Sequence, residues 1–389
     1  MLRTTSALSS AESIKPDRGF LPSRDPLARL PQAFNAWEQV ASGLPKHLAG
    51  DQIRRTIEDL PPFPAASIAD ARERERAMTL LSYLGHAYVW RGEKPAPVLP
   101  ARLAVPWYEV AQSLGRPPVL SYSSYSLHNY FRLDPQREIE IGNIALIQNF
   151  LGGLDEEWFI LIHVDIERNA GPGLAALHDC LDASDTKDAD QLVQHLETVH
   201  NSIEAMYAGL KRMTEWCDPY VYYHRVRPYI HGWKNHPDLP AGLIYKGVDA
   251  YHGEPQQFRG ETGAQSAIIP ALDAMLGVGH KADMLRTYLM EMRTYMPPDQ
   301  RAFIESIEAR GNVREFVEHA GVARLTELYN ACVEGVERFR TLHLEYAASF
   351  IFRQAQTDPK NPHAVGTGGT PFMPYLTKHR DETALHRLK

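Results

Sequence analysis

From Arg324 to Arg353 the larger side chains recur every three or four residues, at Leu325, Leu328, Cys332, Val336, Phe339, His343, Tyr346 and Phe350. That spacing traces one face of an α-helix. Glu327, Glu334, Glu337, Arg338 and Glu345 mostly fall elsewhere around the cylinder, so the stripe is expected to face the interior and the charges water. His343 is the one group on that stripe that ordinarily titrates near neutral pH. A second stripe runs through Leu192, Leu196, Val199, Ile203, Met206, Leu210 and Met213, and it ends near Asp218-Pro219, where proline cannot continue the ladder. Ala77 to Trp90, Glu138 to Leu151, Trp158 to Asn169 and Ala264 to Leu276 also read as helices. Alternating Val/Ile/Thr runs closed by hairpin turns are missing, which predicts an all-α fold.

Prolines 95, 97, 100, 106, 117 and 118 interrupt the stretch from Gly92 to Pro118. They suggest a seam between a small N-terminal helical domain, 25–116, and a large C-terminal one, 117–389. Residues 1–24 read as a flexible leader. The Gly/Pro/Thr/Asn-rich stretch 354–374 reads as a mobile loop, of the kind that folds over a site.

At 389 residues the chain has ample length for a large core. A net charge of −7 offers nucleic-acid phosphates no general attraction, and no apolar run approaches membrane-spanning length. Cys180, Cys217 and Cys332 are widely spaced and odd in number, which suits reduced thiols in a cytoplasm.

Generic catalytic motifs are absent: there is no His-Glu-x-x-His, Gly-x-Ser-x-Gly, P-loop, dinucleotide fingerprint or Cys-x-x-Cys. Three features carry chemistry. A histidine in the position of His343 is satisfied by a local carbonyl in the plain reading and binds a metal or haem in the sharper one. His163 and Glu167 share a helical face at i and i+4. In Val221-Tyr-Tyr-His-Arg-Val-Arg227, two aromatics precede a guanidinium suited to gripping a carboxylate, or equally to a structural ion pair.

Seven segments, in order, resemble the indoleamine 2,3-dioxygenase family: Leu84-Gly-His-Ala-Tyr-Val-Trp90, Val98 to Pro106, His231-Gly-Trp-Lys-Asn-His-Pro237, Gly242 to Gly247, Met290 to Pro298, Val313 to Val317 and Gly366-Thr-Gly-Gly-Thr370. The resemblance covers about Phe20 to Leu376. It implies an all-α, two-domain protein holding haem b, one iron per chain, with His343 as the proximal iron ligand. Arg340 and Asp273 match a pair near the proximal side and a haem propionate.

By the same resemblance Arg227 receives the substrate carboxylate. Tyr222 and Tyr223 line the indole pocket, Tyr122, Tyr125 and Ser126 lie on a distal segment, and Ile230 completes this wall. Gly260 to Ala264 matches a small-residue turn over the haem, which puts Thr262 and Gly263 at the substrate and Gly263 and Ala264 at the cofactor. Thr367 matches a residue that closes on the substrate. The distal position falls on His163, or on Leu161 in a register without a one-residue shift. Glu261 stands where the family has glycine, and the tyrosines make this pocket more polar than the mammalian one.

The implied reaction adds both atoms of O2 across the C2=C3 bond of L-tryptophan or a related indole, giving N-formylkynurenine, with an electron donor to keep the iron ferrous. Alternatives on the same scaffold are a ring-rearranging haem enzyme like that of pyrrolnitrin biosynthesis and a noncatalytic haem-based oxygen sensor. A structural helical protein with a satisfied core His343 is the plainest rival.

Overall fold

A computed structural model describes residues 14–281, 283–357, 366–367 and 372–389. Helices dominate. The longest are Leu154–Asp185, Ala189–Lys211 and Ala323–Ala347, and these three pack in succession, with Phe372–Ala384 laid against the last. Strands are limited, among the described residues, to two small pairs: Val98–Leu99 runs parallel to Ile244–Tyr245, and Tyr130–Arg132 antiparallel to Ile144–Leu146. The all-α expectation holds.

Local chemistry sets the helix starts. Asp70 accepts from the Glu73 amide while Glu73 reaches back to the Ala69 amide, a reciprocal cap that opens Ala71–Trp90. Asp188 caps Ala189–Lys211 through the Gln191 amide. Glu156 gathers the amides of Phe150, Leu151 and Gly152 and so ties the preceding loop to the first turn of Leu154–Asp185.

One apolar core runs from Phe34 and Trp37 through Leu80 and Leu84 to Leu325 and Phe350. Burial of this kind stabilises at roughly 25 cal/mol per Å² of apolar surface. The three cysteines are free and buried within it. No described helix is long and apolar enough to cross a membrane.

Several sequence expectations change here. Residues 1–13 of the expected leader lie outside the described residues, but 14–24 are packed: Phe20 meets the Phe303 ring at 5.5 Å, and Arg18 pairs with Asp25. Gly171 on the long helix permits that approach, since a Cβ there would stand 2.3 Å from the Pro16 carbonyl. Glu138–Leu151 is not a helix. Ile139 and Ile144 bury at hairpin spacing, Gly142 takes φ 97°, and the Asn143 side chain bonds the Asp134 and Glu138 backbone. A short apolar run fits either periodicity, and the turn chemistry decided.

The proline-rich stretch also holds more order than expected. Ala101–Ser113 is a helix that carries Pro106 inside it, because Leu103, Trp107, Val110 and Ala111 bury a continuous face. Of the expected loop 354–374, residues 358–365 and 368–371 lie outside the described residues, while Arg353–Thr357 and Phe372–Ala384 are helical.

Three short π-helical turns interrupt the regular winding, at Ser123–Leu127, Tyr222–Val226 and Ala348–Phe352. Such widened turns collect at functional sites, and all three of these border the region described next.

Candidate haem and substrate site

The helix Ala323–Ala347 is buried along Leu325, Leu328, Cys332 and Val336, and then its stripe opens. Phe339 and Tyr346 are half-buried and His343 is exposed. Its surroundings are nonetheless protein: burial, then the nearby charges of His163 and Arg340, pulls the His343 pKa down to about 4. The ring is thus open on one side while protein groups crowd it on the other. No hydrogen bond involves this ring among the described residues, so the local carbonyl of the plain reading is not found.

One turn earlier, Arg340 forms two parallel hydrogen bonds to Asp273, at 3.1 and 2.6 Å. His280 adds a third contact to Asp273 at 3.2 Å and meets Glu382 at 2.7 Å with its other nitrogen. Burial alone would raise the Asp273 carboxyl, but Arg340 and His280 outweigh it and hold it at about 2. Asp273 and Ala264 line one cleft of about 420 Å³, which His280 also borders.

His163, on the long helix, is close enough for its charge to act on His343. Its Nδ1 lies 2.7 Å from the Phe159 carbonyl. A carbonyl only accepts, so Nδ1 carries the hydrogen and Nε2 is left as an acceptor. Burial, only partly offset by that bond, lowers the His163 pKa and keeps the ring neutral near pH ~7. The i+4 partner Glu167 does not touch it; Glu167 accepts instead from Tyr122 and Ser266, each at 2.9 Å. Burial raises Glu167 to about 7 against those two bonds.

Aromatic rings join these elements into one wall. Phe159 lies 4.6 Å from His163, 4.5 Å from Tyr222 and 6.3 Å from Tyr125. Tyr222 in turn meets Phe350 at 5.7 Å, on the continuation of the His343 helix. Tyr122 stands 5.8 Å from His163. The hydroxyls of Tyr125 and Ser126 are buried without partners among the described residues. Leu161 packs in a separate apolar cluster that includes Leu21, Tyr130 and Val164.

The turn at Gly260–Ala264 closes another side. Gly260 is pressed against the 230–232 backbone, where a Cβ would stand 2.2 Å from the Gly232 nitrogen. The Glu261 amide donates to the carbonyl of buried Ile230, and Thr262 caps the Ala264 amide. Gln265 ties the turn to the distal segment by accepting from the Tyr122 amide and donating to the Gly260 carbonyl. Beside Gly263 a Cβ would meet nothing within 4 Å. Thr367 donates its hydroxyl to the Glu261 carbonyl, and its own carbonyl accepts from Gly232.

Arg227 is buried, with its guanidinium 5.3 Å from the Tyr223 ring centre. Burial lowers its pKa, and Tyr222 and Tyr223 oppose that shift.

The expected residues thus gather in two groups, the ring wall with Arg227 and the Arg340–Asp273 pair, and His343 feels a charge from each, His163 on one side and Arg340 on the other. Phe159 and Phe350 were missed. Phe159 was within reach, since it precedes His163 by four residues on the same helical face.

These residues fit a haem. His343 offers a neutral imidazole with no hydrogen bond among the described residues, and the space beside Gly263 is clear. No group of three or more His, Cys, Asp or Glu able to hold a metal occurs among the described residues. One imidazole binds iron firmly only where a macrocycle supplies the remaining ligands.

Comparison with known proteins agrees. The indoleamine 2,3-dioxygenase family model matches residues 10–386. Human indoleamine 2,3-dioxygenase 2 is 34% identical over 95% of this chain and 93% of its own length. Rat indoleamine 2,3-dioxygenase 1 is 35% identical over 92% and 90%, and the indoleamine 2,3-dioxygenase of Saccharomyces cerevisiae 33% identical over 95% and 91%.

Proposed function

Because the chain belongs to the indoleamine 2,3-dioxygenase family and is a haem-dependent dioxygenase of that type, we propose that it adds O2 across the C2=C3 bond of L-tryptophan or a close relative to give N-formylkynurenine. The observation that carries this reading is the His343 ring, accessible and without a hydrogen bond among the described residues, close enough to His163 for the two charges to act on one another. His343 would hold haem b from the proximal side, one iron per chain, with Arg340, Asp273, Gly263 and Ala264 around the macrocycle. Bound haem, kept ferrous by an external electron donor, would supply the oxygen chemistry.

The chain's own residues bind, orient and exclude water. Arg227 holds the substrate carboxylate in a fork, backed by Tyr223. Phe159 and Tyr222 flank the indole, and Tyr122, Tyr125, Ser126, Ile230, Thr262 and Gly263 complete the pocket, with Thr367 tied to its rim. His163 Nε2, free to accept, takes the indole N–H and so fixes the ring edge that reacts. Orientation of this kind removes much of the entropic part of a barrier.

The test is anaerobic reduction of the haem-loaded protein, then addition of labelled O2 and L-tryptophan with mass detection of products. Formylkynurenine carrying both atoms of one O2 supports the proposal. A ring-rearranged product, or a stable oxygen complex without turnover, overturns it.

A further inference from the structure

Glu261 is only 4% exposed, and its carboxyl makes no hydrogen bond among the described residues. Its backbone is fixed on three sides: the amide bonds Ile230, the carbonyl receives Thr367, and Gly260 before it is wedged against Gly232. The side chain is therefore held in place by its turn, and an idle acid in such a position is costly unless a ligand uses it.

Its neighbours show which way it serves. The Glu261 charge acts on Tyr83, Tyr122, Tyr125 and Tyr222, whose phenols burial already pushes above their ordinary range. Tyr222 feels Glu261 and Arg227 together, so both charges lie within electrostatic range of one ring. The Glu261 charge is also felt by Tyr83 and Tyr125, which stack at 6.2 Å, whereas Arg227 lies beside Tyr223 and is not among the main charges acting on those two rings. With the substrate carboxylate on Arg227 and its ring N–H on His163 as proposed above, the benzene ring is the part of the substrate left for Glu261.

We propose that Glu261 is a specificity-determining residue that accepts a hydrogen bond from a hydroxyl or amino group on the benzene ring of an indole substrate. The inference rests on the indole reading above, in which His163 already takes the ring N–H, so Glu261 serves a second donor. Burial raises the Glu261 carboxyl to about 8, and a donor placed on it would favour the ionised form.

Equilibrium binding to the haem-loaded protein tests this by calorimetry, using L-tryptophan and, for each ring position, the hydroxy-L-tryptophan and its methoxy counterpart. The methoxy group is similar in position but cannot donate. At one position at least, the hydroxyl ligand should bind roughly tenfold or more tighter than its methoxy counterpart. Glu261→Gly should erase that ratio, and Glu261→Gln, which keeps the shape and one accepting oxygen, should retain part of it. Thermal unfolding of both variants reports whether the fold is intact.

A hydroxyl preference that survives Glu261→Gly, or none at any position while tryptophan binds and is oxidised, overturns this inference alone. Failure of tryptophan and every ring-substituted ligand to bind overturns the indole reading and this inference with it.

Discussion

Arg340 and Asp273 are joined by a buried two-bond fork one helical turn before His343, so the segment presenting that imidazole is anchored to the helix Ile268–Leu276. Removing one partner of such a pair strands the other. Asp273→Ala should destabilise the protein by about 3–5 kcal/mol, measured by urea unfolding, and should weaken haem retention. The carboxyl is held below its usual value of 3.8, at about 2, so its contribution is present above pH 3.8 and lost as pH falls through about 2. Acid unfolding of the wild type should show this component, and Asp273→Asn should lack it.

His343→Ala separates ligand from structural roles. The ring makes no hydrogen bond among the described residues and borders open space, so the haem-free variant should stay within about 1 kcal/mol of the haem-free wild type. Haem titration should give no Soret band characteristic of a histidine ligand. A loss of several kcal/mol in the haem-free form would mark His343 as a structural residue instead.

Arg227→Ala should act mainly on the Michaelis constant, because a carboxylate contact persists from bound substrate to transition state. The expected rise for L-tryptophan is roughly 10- to 100-fold, the worth of a charge-assisted hydrogen bond. Tryptamine, which lacks the carboxylate, should be affected much less, and Arg227→Lys should recover part of the loss. Steady-state kinetics with both substrates decides; equal losses for the two would remove Arg227 from this role.

Two buried acids make the fold sensitive to base. Glu167 is raised from 4.5 to about 7 and Glu261 from 4.5 to about 8, both by burial. Above 4.5 the unfolded chain releases protons that the folded protein still holds, so stability falls as pH rises through about 7 and 8. Melting temperature should decline from pH ~5 to ~8.5, and Glu261→Gln or Glu167→Gln should flatten that decline. A rise over this range would contradict the environments described for both carboxyls.

The long helices were legible because their stripes continue for many turns, as at Leu192–Met213 and Leu325–Val336. His343 was legible as the odd residue on such a stripe. Its surroundings were not, since periodicity names the inward face without showing that the face opens onto space. The segment 138–151 was misread because a few isoleucines satisfy two periods and the deciding bonds come from Asn143 and Gly142. Proline spacing hid the helix Ala101–Ser113, where tertiary burial of Trp107 overrides a local breaker. Glu261 stood out as a departure from glycine, but its burial, within range of several tyrosine hydroxyls, arises only when distant segments meet.

The widened turn at Ala348–Phe352 sits between two ordinary helical stretches, Ala323–Ala347 and Arg353–Thr357. Winding of this sort absorbs one surplus residue, and each helical residue turns the chain by about 100°. Loss of a single codon there would restore regular winding and leave both His343 and the helix Arg353–Thr357 in their present orientations, changing only the side chains that the turn itself presents. The genome therefore has an inexpensive route to reshape the wall where Phe350 meets Tyr222, without rebuilding either helix.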